Sequence, residues 1–238
     1  DTAEIGKNMG PTIPLVGDVN DIFRILMEEN IKPGDPSWIE ELEEIKHGTV
    51  DQRVFSDEFV NPNMLVQMLS EKLDDRAIYV ADVGQNQLWS ADNYIMKEGR
   101  FLTTGGMGTM GYSIPAAIGA KMADPDREVV AVCGDGSFQM SMNELAAMKA
   151  NGVDIKIIIV HNGYLGLVRE YQHNTYDDRY IGVKLGGWPL FDKIADAYDV
   201  PYVHCSNNAE LDSKLDEFLA CKGACIMVCE VDSSDNVK

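Results

Sequence analysis

From residue 57 onward, short continuous apolar runs alternate with longer stretches whose apolar positions recur every three or four residues. The apolar runs predict strands at 77–81, 101–102, 128–133, 155–161, 202–204 and 224–231. The periodic stretches predict helices at 63–73, 87–96, 111–122, 142–151, 164–172, 190–198 and 209–219. Strands that are apolar throughout belong to a sheet buried on both faces, and strand–helix alternation implies parallel strands joined by helices. The expected fold class is therefore α/β, a three-layer α/β/α arrangement with a mostly parallel central sheet and a short N-terminal appendage. No internal repeat or low-complexity tract interrupts the pattern.

The first 56 residues follow a different plan. A helical pattern over 19–29, apolar at Ile22, Phe23, Ile25 and Leu26, is broken by Pro33-Gly34-Asp35-Pro36. An acidic helix over 38–46 and a polar stretch through Gln52 follow. Three short elements cannot enclose a core, so residues 1–56 are expected to be the tail of another domain plus a linker. Residues 57–238 are then expected to form a domain of their own. The chain opens Asp1-Thr2 without Met, and a processed or truncated piece is the expectation.

Composition narrows the function classes. Thirty-nine acidic residues against 20 basic give a net charge of -19, which argues against nucleic acid and anionic membrane as partners. No apolar run approaches the roughly 20 residues of a membrane span, and no signal peptide is visible, so a cytoplasmic chain is expected. Cys221, Cys225 and Cys229 fall four apart, as metal ligands can. However, Cys225 and Cys229 flank the strand-like Ile226-Met227-Val228 with no histidine nearby. With Cys133 and Cys205 they are expected to be core thiols in a reducing compartment.

Four predicted strands end in small polar clusters: Asp82-Val83-Gly84-Gln85, Thr103-Thr104-Gly105-Gly106, Gly134-Asp135-Gly136-Ser137 and His161-Asn162-Gly163. Any one of them reads as a tight turn. Four along one sheet edge read as a ligand site, because α/β sheets bind ligands beyond the carboxyl ends of their strands. One version is a dinucleotide site, with Gly106-Met107-Gly108-Thr109-Met110-Gly111 as the glycine fingerprint and Asp135 as the ribose acid. Two features weaken it: little strand precedes the fingerprint, and Asp135 has glycines of its own on either side. The other version is a metal–diphosphate site. Mg2+ takes oxygen ligands from one or two protein groups plus phosphate. Asp135 offers a carboxylate, Asn162 an amide oxygen, and the Gly136 and Ser137 amides suit phosphate oxygens.

Gly134-Asp135-Gly136 followed at a distance by Asn162 resembles the signature of the thiamine diphosphate-dependent enzymes, over roughly residues 60–238. Thr103–Tyr112 with Pro115–Ala120, Ala81–Gln85 and Leu88-Trp89 are most similar to acetolactate synthase large subunits. Asp1–Asn8 resembles the tail of their central, flavin-associated domain. The resemblance implies Mg2+ held by Asp135, Asn162 and the Tyr164 carbonyl, and diphosphate contacts at Gly84, Gln85, Gly136 and Ser137. Asn86, Met107, Gly134, Leu165 and Gly166 would complete the cofactor-binding set. Met110 would prop the cofactor into its bent form, and the Gly108 carbonyl would accept from its aminopyrimidine. Leu167, Val168 and Tyr171 would line the acceptor-substrate pocket.

The implied activity is decarboxylation of pyruvate and transfer of the hydroxyethyl unit to a second 2-keto acid, in branched-chain amino-acid biosynthesis. Thiamine diphosphate and Mg2+ are the implied cofactors, with FAD an option for the full-length enzyme. The implied partners are an N-terminal pyrimidine-binding domain from a neighbouring subunit in a homodimer or homotetramer, and optionally a small regulatory subunit. That domain supplies the activating Glu, so the chain alone is expected to be inactive.

Asn86 stands where these enzymes carry His, His161 where they carry Asn, and Tyr171 where many carry Trp. Residues 163–169 also resemble glyoxylate carboligase. Glyoxylate carboligase and 2-keto acid decarboxylase therefore stay open, as do an NAD-dependent oxidoreductase and a non-catalytic assembly module.

Overall fold

Six parallel strands form one sheet: β1 (Ile78–Ala81), β2 (Arg100–Thr103), β3 (Val129–Gly134), β4 (Lys156–His161), β5 (Tyr202–Cys205) and β6 (Cys225–Glu230), in the order β2-β1-β3-β4-β6-β5. The computed structural model describes residues 2–10, 13–32, 34–48, 58–186, 189–234 and 237. Two compact units divide the chain, Asp1–Arg53 and Val54–Lys238. In the first, a short 3-10 turn (Thr2–Glu4) precedes α1 (Val19–Glu28) and α2 (Pro36–Gly48). Asp18 caps α1 by accepting from the Asn20 amide at 2.9 Å. Asp1, Pro33, the polar stretch through Gln52 and the boundary expected after residue 56 lie outside the described residues.

The helices of the second unit are α3 (Pro62–Lys72), α4 (Gln85–Asn93), α5 (Ser113–Ala123), α6 (Asp135–Ser141), α7 (Glu144–Ala150), α8 (Gly166–Tyr176), α9 (Phe191–Ala197) and α10 (Asn208–Ala220). Alternate side chains of each strand enter two separate cores. Tyr79, Val132 and Ile158 pack with Leu65, Leu69, Trp89, Leu211, Leu215 and Phe218 from α3, α4 and α10. Val80, Ala131, Ile157 and Ile159 pack with Ile114, Phe138, Leu145, Met148 and Phe191 from α5, α6, α7 and α9. This is the expected three-layer arrangement, and its cause is the two-residue period of strand side chains between two helical layers.

Element ends differ from the sequence expectation by a residue or two in most cases; α4 ends three residues early, at Asn93, and three further differences stand out. The helix expected from Gly111 starts at Ser113. Gly111 has φ 85, a conformation a helix excludes, and a Cβ there would lie 3.1 Å from Met140 Cβ. The helix expected at 142–151 is α7, and a helix not expected from the sequence, α6, precedes it and follows β3 without a connecting loop. Asp135 at the first position of α6 favours a helix start, because negative charge complements the helix N-terminus. The chain pivots after α6: the Leu145 and Ala146 amides donate three residues back, to the carbonyls of Met142 and Asn143 (3.2 and 3.1 Å). Finally, α8 runs from Gly166 to Tyr176 rather than over 164–172.

The four buried cysteines lie on strands as expected, at positions 133, 205, 225 and 229, and Cys221 is half-buried. All five are free thiols. Among the described residues no helix is long and apolar enough to cross a membrane.

Candidate functional site

Because every strand runs the same way, all four polar clusters fall on one edge of the sheet, at the ends of the consecutive strands β2, β1, β3 and β4. Strand order changes direction between β1 and β3, the place where such sheets leave a crevice. A cavity opens there. It is lined by Val83, Gly84, Gln85 and Asn86 after β1, Gly134 to Ser137 after β3, Val160, Asn162 and Tyr164 to Leu167 after β4, and by Trp89 and Met110.

Asp135 forms the floor of this cavity and is 3% exposed. Its Oδ1 accepts from the Gly136 amide and its Oδ2 from the Gly163 amide, both at 2.7 Å. His161 Nε2 lies 3.6 Å from Oδ2. Burial pushes the carboxyl above its ordinary range, and the Gly163 amide, His161 and the Gly136 amide offset that only in part. A buried carboxylate short of positive charge at the base of a cavity suits a cation. Beside it, Asn162 Oδ1 accepts from the Tyr164 amide at 2.9 Å, and Asn162 Nδ2 donates to Gln85 Oε1 at 3.3 Å. Among the described residues no three His, Cys, Asp or Glu side chains converge as ligands. A cation here would find the Asp135 carboxylate and the Asn162 amide oxygen, hard oxygens of the kind Mg2+ takes.

The cradle is shaped by glycine. A Cβ at Gly136 would lie 3.0 Å from Leu165 Cδ2, 3.2 Å from Leu185 Cδ1 and 3.3 Å from Met110 Cε, so a side chain there would fill the cavity. Gly84 caps α4 with φ 132, which lets β1 turn directly into the helix. Two buried polar atoms on the wall, Asn86 Oδ1 and Trp89 Nε1, have no hydrogen-bond partner. Buried polar groups are normally paired, so their partners are expected from a ligand or its water. The residues present therefore fit a diphosphate-bearing cofactor and its divalent cation.

Sequence reasoning missed three supports. Asp82 was grouped with the turn, yet it is fully buried and organises the loop beyond β2. Its Oδ1 accepts from the Val83 and Gly111 amides (2.8 and 3.0 Å) and its Oδ2 from the Ser113 amide (2.7 Å). Glu170, 6% exposed on α8, accepts from Gln85 Nε2 at 2.9 Å and from the Val237 amide at 3.1 Å. Glu230, the register partner of His161, bridges His161 Nδ1 and His204 Nε2, each at 3.0 Å. The hydrogen bond to Glu230 raises the His161 pKa. Burial would raise that of Glu230, but the two imidazoles outweigh it and hold the group below its ordinary range. An acid spaced with no local period from its partner leaves no mark in a single sequence.

Placement separates the expected site residues. Gly84, Gln85, Asn86, Met110, Gly134, Asp135, Gly136, Ser137, Asn162, Tyr164, Leu165, Gly166 and Leu167 line one cavity. Met107, 89% exposed, and Gly108 stand on the loop outside that lining. Val168 and Tyr171 line a separate groove with Gln172, Tyr176, Arg179 and Ile181. The dinucleotide arrangement loses its geometry. Its glycines follow the edge strand β2, α5 starts only at Ser113, and β1 separates β2 from the strand that carries Asp135.

Comparison with known proteins bears on the same edge. Residues 82–229 match the family described as thiamine pyrophosphate enzyme, C-terminal TPP binding domain. The chain is 35% identical to an acetolactate synthase of Arthrospira platensis over 95% of its own length and 40% of that protein. It is 35% identical to the acetolactate synthase large subunit of Lactococcus lactis, over 90% of the chain and 38% of that protein. A probable acetolactate synthase large subunit of Methanocaldococcus jannaschii is 37% identical over 91% of the chain and 38% of its own length. The chain spans about two fifths of the length of these relatives.

Proposed function

The chain belongs to the thiamine pyrophosphate enzymes, as their C-terminal cofactor-binding domain, and we propose that it serves an acetolactate synthase. In that role it binds thiamine diphosphate with Mg2+ and works on pyruvate and a second 2-keto acid. The observation that carries the reading is the single cavity at the β1, β3 and β4 ends, which unites Gln85, Met110, Asp135, Ser137 and Asn162 from four separate segments. The acetolactate synthase relatives, each aligned over nine tenths or more of the chain, support the choice within the family.

Bound thiamine diphosphate supplies an electron sink for loss of CO2 from a 2-keto acid and for carbon–carbon bond formation. This chain's residues bind, orient and shield it. Asp135, Asn162 and the Tyr164 carbonyl hold the cation; Gly84, Gln85 and the backbone of Gly136 and Ser137 receive the diphosphate. Met110, Leu165 and Leu167 close the cavity with apolar surface and keep water from the reacting centre. The Gly108 carbonyl accepts a hydrogen bond from the pyrimidine amine. Val168 and Tyr171, on the separate groove of α8, serve the acceptor keto acid. The activating Glu comes from the pyrimidine-binding domain of a neighbouring subunit in a homodimer or homotetramer. FAD and a small regulatory subunit are options for the full-length assembly.

The test is an assay of the full-length gene product with pyruvate, 2-ketobutyrate and glyoxylate. Acetolactate formation that requires both thiamine diphosphate and Mg2+ is the expected result. Tartronate semialdehyde from glyoxylate, with no acetolactate from pyruvate, would replace this reading with a glyoxylate carboligase. Turnover of pyruvate by the 238-residue chain alone would refute the need for a second domain.

A further inference from the structure

We infer that Glu170 is a positioning residue for the cation site, acting through Gln85 on the amide of Asn162. The inference rests on the reading of Asn162 as a metal ligand and adds what decides which end of its amide faces the metal.

An amide has an oxygen end that binds cations and a nitrogen end that does not, and the two are nearly equal in shape. Packing therefore cannot choose between them; hydrogen bonds must. An ionised carboxylate only accepts. Glu170 Oε2 receives Gln85 Nε2 at 2.9 Å and the Val237 amide at 3.1 Å. With its NH2 committed to Glu170, Gln85 turns Oε1 the other way, where it accepts from Asn162 Nδ2 at 3.3 Å. The Asn162 nitrogen is thereby drawn toward α4, and its oxygen lies on the opposite side, where it accepts from the Tyr164 amide at 2.9 Å. That oxygen keeps a second lone pair for a cation. Donor-to-acceptor polarity thus passes from a buried acid on α8, through a residue at the start of α4, to the end of β4. Gly166 makes this path possible, since a Cβ there would collide with Gln85 Oε1 and approach Asn162 Nδ2 to 2.8 Å. Glu170 does not line the cavity, so its influence on the cation is indirect.

The experiment measures the Mn2+ dissociation constant of the full-length gene product at saturating thiamine diphosphate. Glu170→Met keeps the length of the side chain and removes both acceptors. It is expected to weaken Mn2+ binding by roughly tenfold, the lower end of what loss of an outer-sphere partner costs a metal site. Glu170→Gln, whose Oε1 accepts the same two N–H groups, should stay close to wild type. The decisive comparison uses Asn162→Asp, which presents oxygen whichever way it turns. In that background Glu170→Met should change Mn2+ affinity little, an outcome that general damage to the fold would not produce. Gln85→Leu breaks the path from the other side; its penalty should likewise shrink in the Asn162→Asp background, which decides the question if Glu170→Met does not fold. Unchanged Mn2+ affinity in Glu170→Met, or an equal loss in both backgrounds, would overturn the inference. If Asn162→Ala leaves Mn2+ affinity unchanged, the assignment of Asn162 as a ligand fails instead.

Discussion

Replacing Asp82 by Asn tests whether a buried acid, and not the glycines around it, holds the loop that carries Gly108 and Met110. In the same rotamer Asn keeps one oxygen for the Val83 and Gly111 amides, now 2.8 and 3.0 Å from Oδ1. Its NH2 then faces the Ser113 amide, which donates to Oδ2 at 2.7 Å, so a donor meets a donor. Ser113 is buried, and water cannot take over the lost role. A charge-assisted hydrogen bond is worth about 1.5–3 kcal/mol, and an orphaned buried N–H costs about 1–3 kcal/mol. The two overlap, and relief from burying a charge offsets part of them. The expected loss is about 3 kcal/mol, or roughly 6–12 °C in Tm for a unit of this size. The assay is thermal unfolding of the cofactor-free protein by circular dichroism, with thermolysin cleavage between residues 104 and 112 as the local readout. A Tm within about 2 °C of wild type, together with unchanged cleavage, would refute the assignment.

Three further outcomes follow from the same geometry. Asp135→Asn should abolish the stabilisation that thiamine diphosphate and Mg2+ give the full-length protein, about 2.7 kcal/mol at 100 times Kd; calorimetry of the variant with and without ligands checks it. Gly166→Ala should drive Gln85 from its place, break its bonds to Glu170 and Asn162, and weaken cofactor binding by roughly tenfold or more, read by tryptophan quenching. Native protein at pH 8 should give one accessible thiol, Cys221, to a disulfide reagent, against five on unfolding, since Cys133, Cys205, Cys225 and Cys229 are buried and burial with the neighbouring Cys221 pushes Cys225 up to about 12.

What the sequence determined by itself is whatever depends on neighbours along the chain. Runs such as Val129–Val132 and Ile157–Val160 are apolar at every position, and that alone requires a strand covered on both faces. Gly134-Asp135-Gly136 and Asn162 pointed to a family by residue type and order, and the comparison agrees on that family. The start of α6 at Asp135 and the delay of α5 to Ser113 were not legible, because each turns on a backbone conformation that distant atoms enforce. Only the tertiary structure decided which strand ends meet: β3 and β4 are neighbours, so Asp135 and Asn162 reach one cavity, and β1 brings Gln85 to both. It alone separated Leu167, inside that cavity, from Val168 and Tyr171, outside it. It also gave Asp82, Glu170 and Glu230 their roles. A buried carboxylate is held by whichever N–H groups the packed sheet and helices present to it, 85 residues from Gln85 to Glu170 or 67 from Glu170 to Val237. No local period records a pairing of that range; strand register and the close packing of two helical layers do.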